Sequence, residues 1–212
     1  MKKDFRKSLK FITFEGSEGS GKSTQAELVY RYLKKKNVPV LLLREPGGVK
    51  ISEAIRKMLL DVRNTDMTKE CETLLYMAAR AQLVDEVILP ALKKGVIVLC
   101  DRFLDSTVVY QGYGYGVDKE AIKMIGQFAV KGVEPGLTLL FDIETKKGLS
   151  RIDRAKDRIE LRSLPYHRRV RRGYLELARQ NPERIRVIKG NKGKDEIFET
   201  VKKVVDEFLF GP

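Results

Sequence analysis

The sequence predicts an α/β fold: one parallel sheet of five strands, covered by helices on both faces. Two observations carry this reading. Five short, almost wholly apolar runs alternate with longer stretches of helical periodicity, which is how strands buried on both faces read. A glycine-rich turn follows the first run and opens the first helical stretch. The 212 residues, 42% hydrophobic and 33% charged, can bury a core without a disulfide or structural metal, and a single domain over 1–212 is expected.

The elements follow in order. Residues 9–14 read as the first strand, and 22–36 as a helix whose face is set by Ala26, Val29, Tyr30 and Leu33. A second strand is expected at 38–43, closed by the turn Glu45-Pro46-Gly47-Gly48. Helices are expected at 51–60 and 70–93, the second bent before Pro90, which lacks the N–H a helix needs. Strands at 96–100 and 137–142 flank a helix at 119–130. Helices at 146–153 and 165–180, a fifth strand at 184–188 and a last helix at 194–209 complete the chain. Crossovers should be right-handed, with ligands beyond the carboxyl ends of the strands.

Lys and Arg number 42 against 29 Asp and Glu, a formal charge of +13. That balance points to anionic partners: nucleic acid, a membrane surface or phosphorylated small molecules; a charge-rich surface without a partner is the alternative. Cys71 and Cys100 are the only cysteines and form no CxxC pair, which disfavours a disulfide scaffold or cysteine zinc site and favours a reducing, cytoplasmic setting. His167 is the only histidine, against histidine-rich metal centres and Ser-His-Asp chemistry. No apolar run approaches a membrane span, and the apolar stretch 11–14 after the basic start is too short for a signal peptide. The N-terminal Lys/Arg cluster reads as a solvated tail. Residues 151–172 hold nine Lys or Arg against three Asp or Glu, readable as a solvated helix face or as a lid that clamps phosphates.

The strongest local signal is Gly16-Ser17-Glu18-Gly19-Ser20-Gly21-Lys22-Ser23, which fits G-x-x-x-x-G-K-[ST] at every fixed position and, with Thr24, forms the expected ATP-binding segment. Its glycines let backbone N–H groups turn inward around a phosphate, and the helix that follows adds partial positive charge. Lys22 is expected on the β- and γ-phosphates, and the Ser23 hydroxyl on Mg²⁺. The apolar run ending in Asp101 supplies a carboxylate for the same metal. The fold class is therefore a P-loop NTPase-like, three-layer arrangement that binds ATP with Mg²⁺ as cofactor. These signals do not name the acceptor.

Further segments recur in one order: Phe14-Glu15-Gly16, Arg44-Glu45-Pro46-Gly47-Gly48, Leu74 to Gln82, Asp101-Arg102-Phe103 with Ser106, Tyr110, Gln111 and Gly112, Asp157-Arg158-Ile159-Glu160, and Tyr174 to Ala178. Together they resemble the thymidylate kinase family over residues 9–209. The resemblance implies transfer of the ATP γ-phosphoryl group to dTMP, a mobile lid near 151–161 and a homodimer. By the same resemblance Arg102 holds the acceptor phosphate, a task suited to a guanidinium fork. The alternative for Arg102 is an ion pair with Glu45 or Asp101. Arg80 is placed on the thymine and acceptor side, and Tyr76 stacks on the base unless it is an ordinary core aromatic. Tyr110 crowds the sugar 2′ position; Ser106 and Thr107 face the base edge or stabilise a turn. Gln111 belongs to the dTMP-binding set, Glu18 lies near the sugar hydroxyl and metal or acts as a cap, and Arg44 and Pro46 close over the acceptor.

The phosphate loop holds no arginine, so the chain resembles the bacterial branch, whose catalytic arginine comes from the lid: Arg151 or Arg154, with Arg158 structural through Glu160. The run Arg168 to Arg172 reads as a solvated helix face. Val49, Phe103 and Leu83 depart from the Thr, Tyr and His usual in the family, and the lid is about two residues short. Adenine contacts are expected near the lid start and residues 190–193. The rival readings are a kinase for another or several nucleoside monophosphates, and an ATP-switched nucleic-acid-binding module; no RNA-binding sheet, zinc-finger or helix-turn-helix cue supports the second.

Overall fold

The computed structural model describes residues 8–211, so most of the basic N-terminal cluster lies outside the described residues. Lys10, the last of that cluster, is exposed and donates to the Gly95 carbonyl at 2.8 Å. Five strands, β1 (Ser8–Gly16), β2 (Val40–Arg44), β3 (Ile97–Asp101), β4 (Pro135–Asp142) and β5 (Ile185–Lys189), form one sheet in the order β2-β3-β1-β4-β5. Every pairing is parallel. The helices are α1 (Lys22–Lys35), α2 (Lys50–Leu60), α3 (Lys69–Leu83), α4 (Leu89–Lys93), α5 (Leu104–Thr107), α6 (Lys119–Val130), α7 (Thr145–Ser150), α8 (Leu164–Gln180) and α9 (Lys194–Phe210).

The apolar runs are explained by what covers them. On one face Ile12, Phe14, Leu99 and Leu139 pack against Ala26, Val29 and Leu33 of α1 and Val201 and Val205 of α9. On the other, Phe11, Val98 and Cys100 meet Leu83, Val84 and Ile88, while Leu140 meets Val170, Tyr174 and Ala178 of α8. Two buried hydroxyls inside the sheet pair with each other, those of Thr13 and Thr138 lying 2.8 Å apart. After β1 the chain runs to β2, returns to β3 beside β1, and then crosses to β4 on the other side. The carboxyl ends of β1, β3 and β4 thus frame the crevice where ligands bind in such sheets.

Three elements differ from the sequence expectation. The helix expected over 70–93 is α3 and α4 joined by a π-helical turn, Val84–Ile88. There the Leu89 N–H reaches back five residues to the Val84 carbonyl, a widening that accommodates Pro90. The segment after Phe103, for which the sequence suggests no element, is α5 followed by a π-helical run, Val108–Gly114. Gly114 is needed there because a Cβ would stand 2.7 Å from the Tyr166 ring. The helix expected over 146–153 closes at Ser150. The Ser150 hydroxyl donates to the Lys147 carbonyl, and the Arg151 N–H turns to Gly148 instead.

Leu99 is fully buried at the centre of the sheet, paired between Ile12 and Leu42. Leu99→Ala should cost about 2–5 kcal/mol of unfolding free energy, read as a lower denaturant midpoint at unchanged slope.

Candidate active site

A cleft of about 850 Å³ opens at the carboxyl ends of β1 and β3. Its walls come from the loop and first turn of α1 (18–25), the loop after β2 (44–46), α3 (Tyr76, Arg80), the segment after β3 (101–111), and the 151–160 segment. Of the residues singled out in the sequence for ATP, acceptor or metal, Gly16 and Ser17 alone lie outside the lining.

The loop takes its shape from glycines that other residues could not replace. Gly21 has φ 88° and starts α1. At Gly19, with φ 66°, a Cβ would fall 1.9 Å from the Gly148 carbonyl oxygen. Lys22 is buried at the start of α1, and its ammonium is pushed down by burial and by Arg102 nearby. The Ser23 hydroxyl donates to Asp101 Oδ2. Asp101 Oδ1 is buried without a partner, as are the hydroxyls of Ser17 and Ser20. An unpartnered carboxylate oxygen beside a serine hydroxyl fits a hard divalent cation. No cluster of three or more His, Cys, Asp or Glu exists among the described residues, so such a cation would take its other ligands from water and phosphate, as Mg²⁺ does.

Arg102 follows Asp101 in the left-handed region, φ 72°, fixed by its N–H bond to the Phe14 carbonyl. Its guanidinium donates to the Gly16 carbonyl at 3.1 Å, the Ser106 and Tyr174 hydroxyls at 3.2 Å and Glu18 Oε1 at 3.1 Å, and lies over the Tyr110 ring. Neither Glu45 nor Asp101 is its ion-pair partner; Glu18 is. Tyr110 donates to both Glu18 oxygens at 2.7 Å, and His167 Nδ1 stands 3.6 Å from Glu18 Oε2. Burial alone would raise the Glu18 carboxyl, but His167, Arg102, Lys22 and Tyr110 outweigh it and hold it at about 2. Behind this pair Glu15 accepts from the Phe103 N–H, Ser106 and Tyr174, and burial with Asp105 nearby pushes its carboxyl up to about 7.

On the acceptor side Arg80 is buried, and each of its nitrogens has an internal partner. It binds Glu45 at 2.8 Å, Thr107 Oγ1 and the Phe103 carbonyl at 3.0 Å, and Met77 Sδ at 3.2 Å. Arg44 and the Gly48 N–H converge on Glu53, while Arg56 donates to the Pro46 carbonyl. Tyr76 is half-buried and faces the cleft, and its hydroxyl is pushed up by burial and Glu72. Val49, Leu83 and Phe103, the three departures noted in the sequence, pack together in one apolar cluster.

The 151–161 segment expected to form a lid differs from expectation in its pairing. Glu160 holds Arg154, at 2.7 and 3.0 Å, and not Arg158. Arg158 binds the buried Glu72 at 2.6 Å and the Leu59 carbonyl at 2.8 Å, and does not line the cleft. Arg151 rests on the Gly19 carbonyl of the phosphate loop at 3.2 Å and on Gly190 at 3.4 Å. Within the run 168–172, Arg168 and Arg172 are exposed, but Val170 is buried, Arg171 pairs with Asp142 and Arg169 donates to Gly114. Arg56 and Lys194 line the cleft unforeseen, while Asp157 falls in the expected lid segment and Lys192 in the 190–193 stretch expected near the adenine. Glu72 also escaped notice; its only sequence signal is an acidic residue four before Tyr76 and eight before Arg80, on the same helical face.

The thymidylate kinase family model matches residues 14–201. A thymidylate kinase of Roseiflexus castenholzii is 44% identical over 214 residues, covering 94% of this chain and 93% of that protein. One of Nitratidesulfovibrio vulgaris is 46% identical over 211 residues, covering 95% and 98%. The crystal structure of thymidylate kinase from Ehrlichia chaffeensis superposes with a TM-score of 0.76 at 34% identity, over 92% of this chain and 97% of that one.

The Glu18 carboxyl, held at about 2 against an ordinary 4.5, stabilises the fold fully above pH 4.5 and loses that contribution as pH falls through 2. Denaturant titrations should therefore show wild type more stable than Glu18→Gln at pH 7, with the gap level down to about pH 4.5 and narrowing below it. A gap that is constant with pH would contradict the ionised pairing.

Proposed function

The chain belongs to the thymidylate kinase family and phosphorylates dTMP to dTDP with ATP as donor; we propose that its cleft divides this work among a phosphate loop, an acceptor floor and a closing lid. Residues 16–24 receive the donor phosphates, with Lys22 on the β- and γ-groups. Ser23 and Asp101 would hold Mg²⁺, which when bound supplies neutralising charge for the donor phosphates. Arg102 takes the 5′-phosphate of dTMP, its fork donating to phosphate oxygens from the end of β3. That phosphate oxygen is already anionic near neutral pH and attacks the γ-phosphorus as ADP leaves, so no histidine base is required. Catalysis then rests on positioning and charge.

Tyr76 stacks on the base, and Thr107 and Gln111 meet its edge. Arg80, with every nitrogen occupied, acts by fixing Thr107 and Glu45 from behind. Tyr110 is tied to Glu18 by its hydroxyl and cannot retreat from a ribose 2′-hydroxyl, while Glu18 and Ser106 support Arg102 beside the sugar. Arg44 and Pro46 close over the acceptor. Arg151, already on the phosphate loop, is the lid arginine favoured for the transferring group. Arg154 joins it when the lid, residues 151–161, exchanges Glu160 for phosphate.

A homodimer is supported by adjacent exposed apolar side chains on three packed helices: Ile51 and Met58 of α2, Leu74 of α3, and Met124 and Phe128 of α6, the last 84% exposed. Two unpaired cysteines support a cytoplasmic setting, and no helix among the described residues is long and apolar enough to cross a membrane. The single 1–212 unit is proposed to act without nucleic acid.

The observation that carries this reading is the juxtaposition of Ser23 with Asp101 at the loop mouth, with Arg102, the next residue, facing the acceptor side. An ADP-release assay with ATP, Mg²⁺ and a panel of dTMP, dUMP, ribose TMP, UMP, CMP, AMP and GMP tests it. dTMP should win clearly and its ribose form should be poor; folded Lys22→Ala should lose orders of magnitude in turnover. A different preferred acceptor would overturn the acceptor assignment, and no ADP with any acceptor would overturn the whole reading.

A further inference from the structure

Glu72 is fully buried on α3, outside the cleft, and no part of the reaction above uses it. It accepts from Arg158 at 2.6 Å and Arg162 at 2.5 Å through Oε2, and from the Gln111 side-chain amide at 2.8 Å through Oε1. Arg162 itself lies over both the Tyr115 and the Tyr166 ring, which meet edge to face. The carboxylate is therefore locked in place by two guanidinium groups, Arg158 near the end of the 151–161 segment and Arg162 just after it.

Its effect on Gln111 follows from hydrogen-bond chemistry. A carboxylate offers only acceptors, so Gln111 turns its NH₂ towards Glu72. The amide oxygen then points away from Glu72. Gln111 lines the cleft and Glu72 does not, so that oxygen is the atom presented to a bound base. The neighbouring Thr107 hydroxyl already accepts from Arg80 at 3.0 Å, which leaves it its hydrogen to donate. The floor thus offers one donor and one acceptor in a fixed order. A 4-oxo pyrimidine with a protonated N3 matches that order; a 4-amino pyrimidine with a bare N3 opposes it at both points.

We propose that Glu72 is a specificity-determining positioning residue, which makes the cleft select 4-oxo over 4-amino pyrimidine monophosphates by fixing the amide of Gln111. The proposal rests on the acceptor-site reading above. Without the carboxylate, the amide is free to flip and serve either edge, and the discrimination that comes from leaving buried polar groups unpaired is lost.

The test is kcat/KM for dTMP, dUMP and dCMP in wild type and in the near-isosteric Glu72→Gln. The preference for dTMP over dCMP should fall at least about tenfold, while the ratio of dTMP to dUMP, which share the same edge, stays fixed. A role in folding or lid anchoring alone would depress all three by a common factor, and that result overturns the proposal. A wild type that does not prefer dTMP would overturn the acceptor reading instead. Should Glu72→Gln fail to fold, solvent exchange of the Gln111 side-chain NH₂ in wild type decides the matter, its resonances assigned by their loss in Gln111→Leu. Slow exchange before dTMP is added supports the proposal. Fast exchange that slows only on adding dTMP shows the NH₂ serving the base, and contradicts it.

Discussion

Arg102 meets Glu18 at 3.1 Å across the crevice between β1 and β3, and most of the cleft is arranged around that pair. Each partner is held by the loop of the other's strand. Arg102 donates to the carbonyl of Gly16, and Glu18 sits in the turn that Gly16 begins. Tyr110, Ser106, Tyr174 and Glu15 fill the space beneath with hydroxyls and a carboxylate. The left-handed backbone at Arg102 turns the chain sharply at the end of β3, so Asp101 faces the phosphate loop and Arg102 the acceptor side.

The wider constraint is that a cleft made for several phosphates must hold its positive charge without them. Here several cations are matched by carboxylates: Arg80 with Glu45, Arg44 with Glu53, Arg154 with Glu160, and Arg158 and Arg162 both with Glu72. Burial decides what each match is for. The Arg80 and Glu72 contacts are dry, and breaking one partner would strand a charge, so they fix architecture. Arg44 and Arg154 are largely exposed, so their pairs are weak and readily exchanged for a phosphate. The buried contacts therefore tie α3 to the segment after β3 through Arg80 and to residues 158–162 through Glu72.

Local chemistry made the first third of the site legible in the sequence. The strand, the loop 16–23 and α1 are each specified by neighbouring residues, so their joint reading holds. The sheet was legible for a similar reason: apolar runs covered on both faces leave little choice of role. What escaped depended on contacts distant in sequence. Arg158 lies two residues from Glu160, yet its carboxylate is Glu72 of α3, distant in sequence. The lid folds back so that Arg154, six residues away, takes Glu160 instead. The π-helical run 108–114 carries no clear period in the sequence, and Gly114 is there to let Tyr166 approach.

We propose that Arg102, ion-paired with Glu18, is a preorganised receptor for the acceptor's phosphate and not a purely structural cation. Calorimetric titration of dTMP and of thymidine, which lacks the phosphate, into wild type and Arg102→Gln tests it most directly. dTMP affinity should fall by about a hundredfold, the scale of a lost charge-assisted fork, with thymidine affinity unchanged. An equal loss for both ligands, or no loss for dTMP, would contradict the claim.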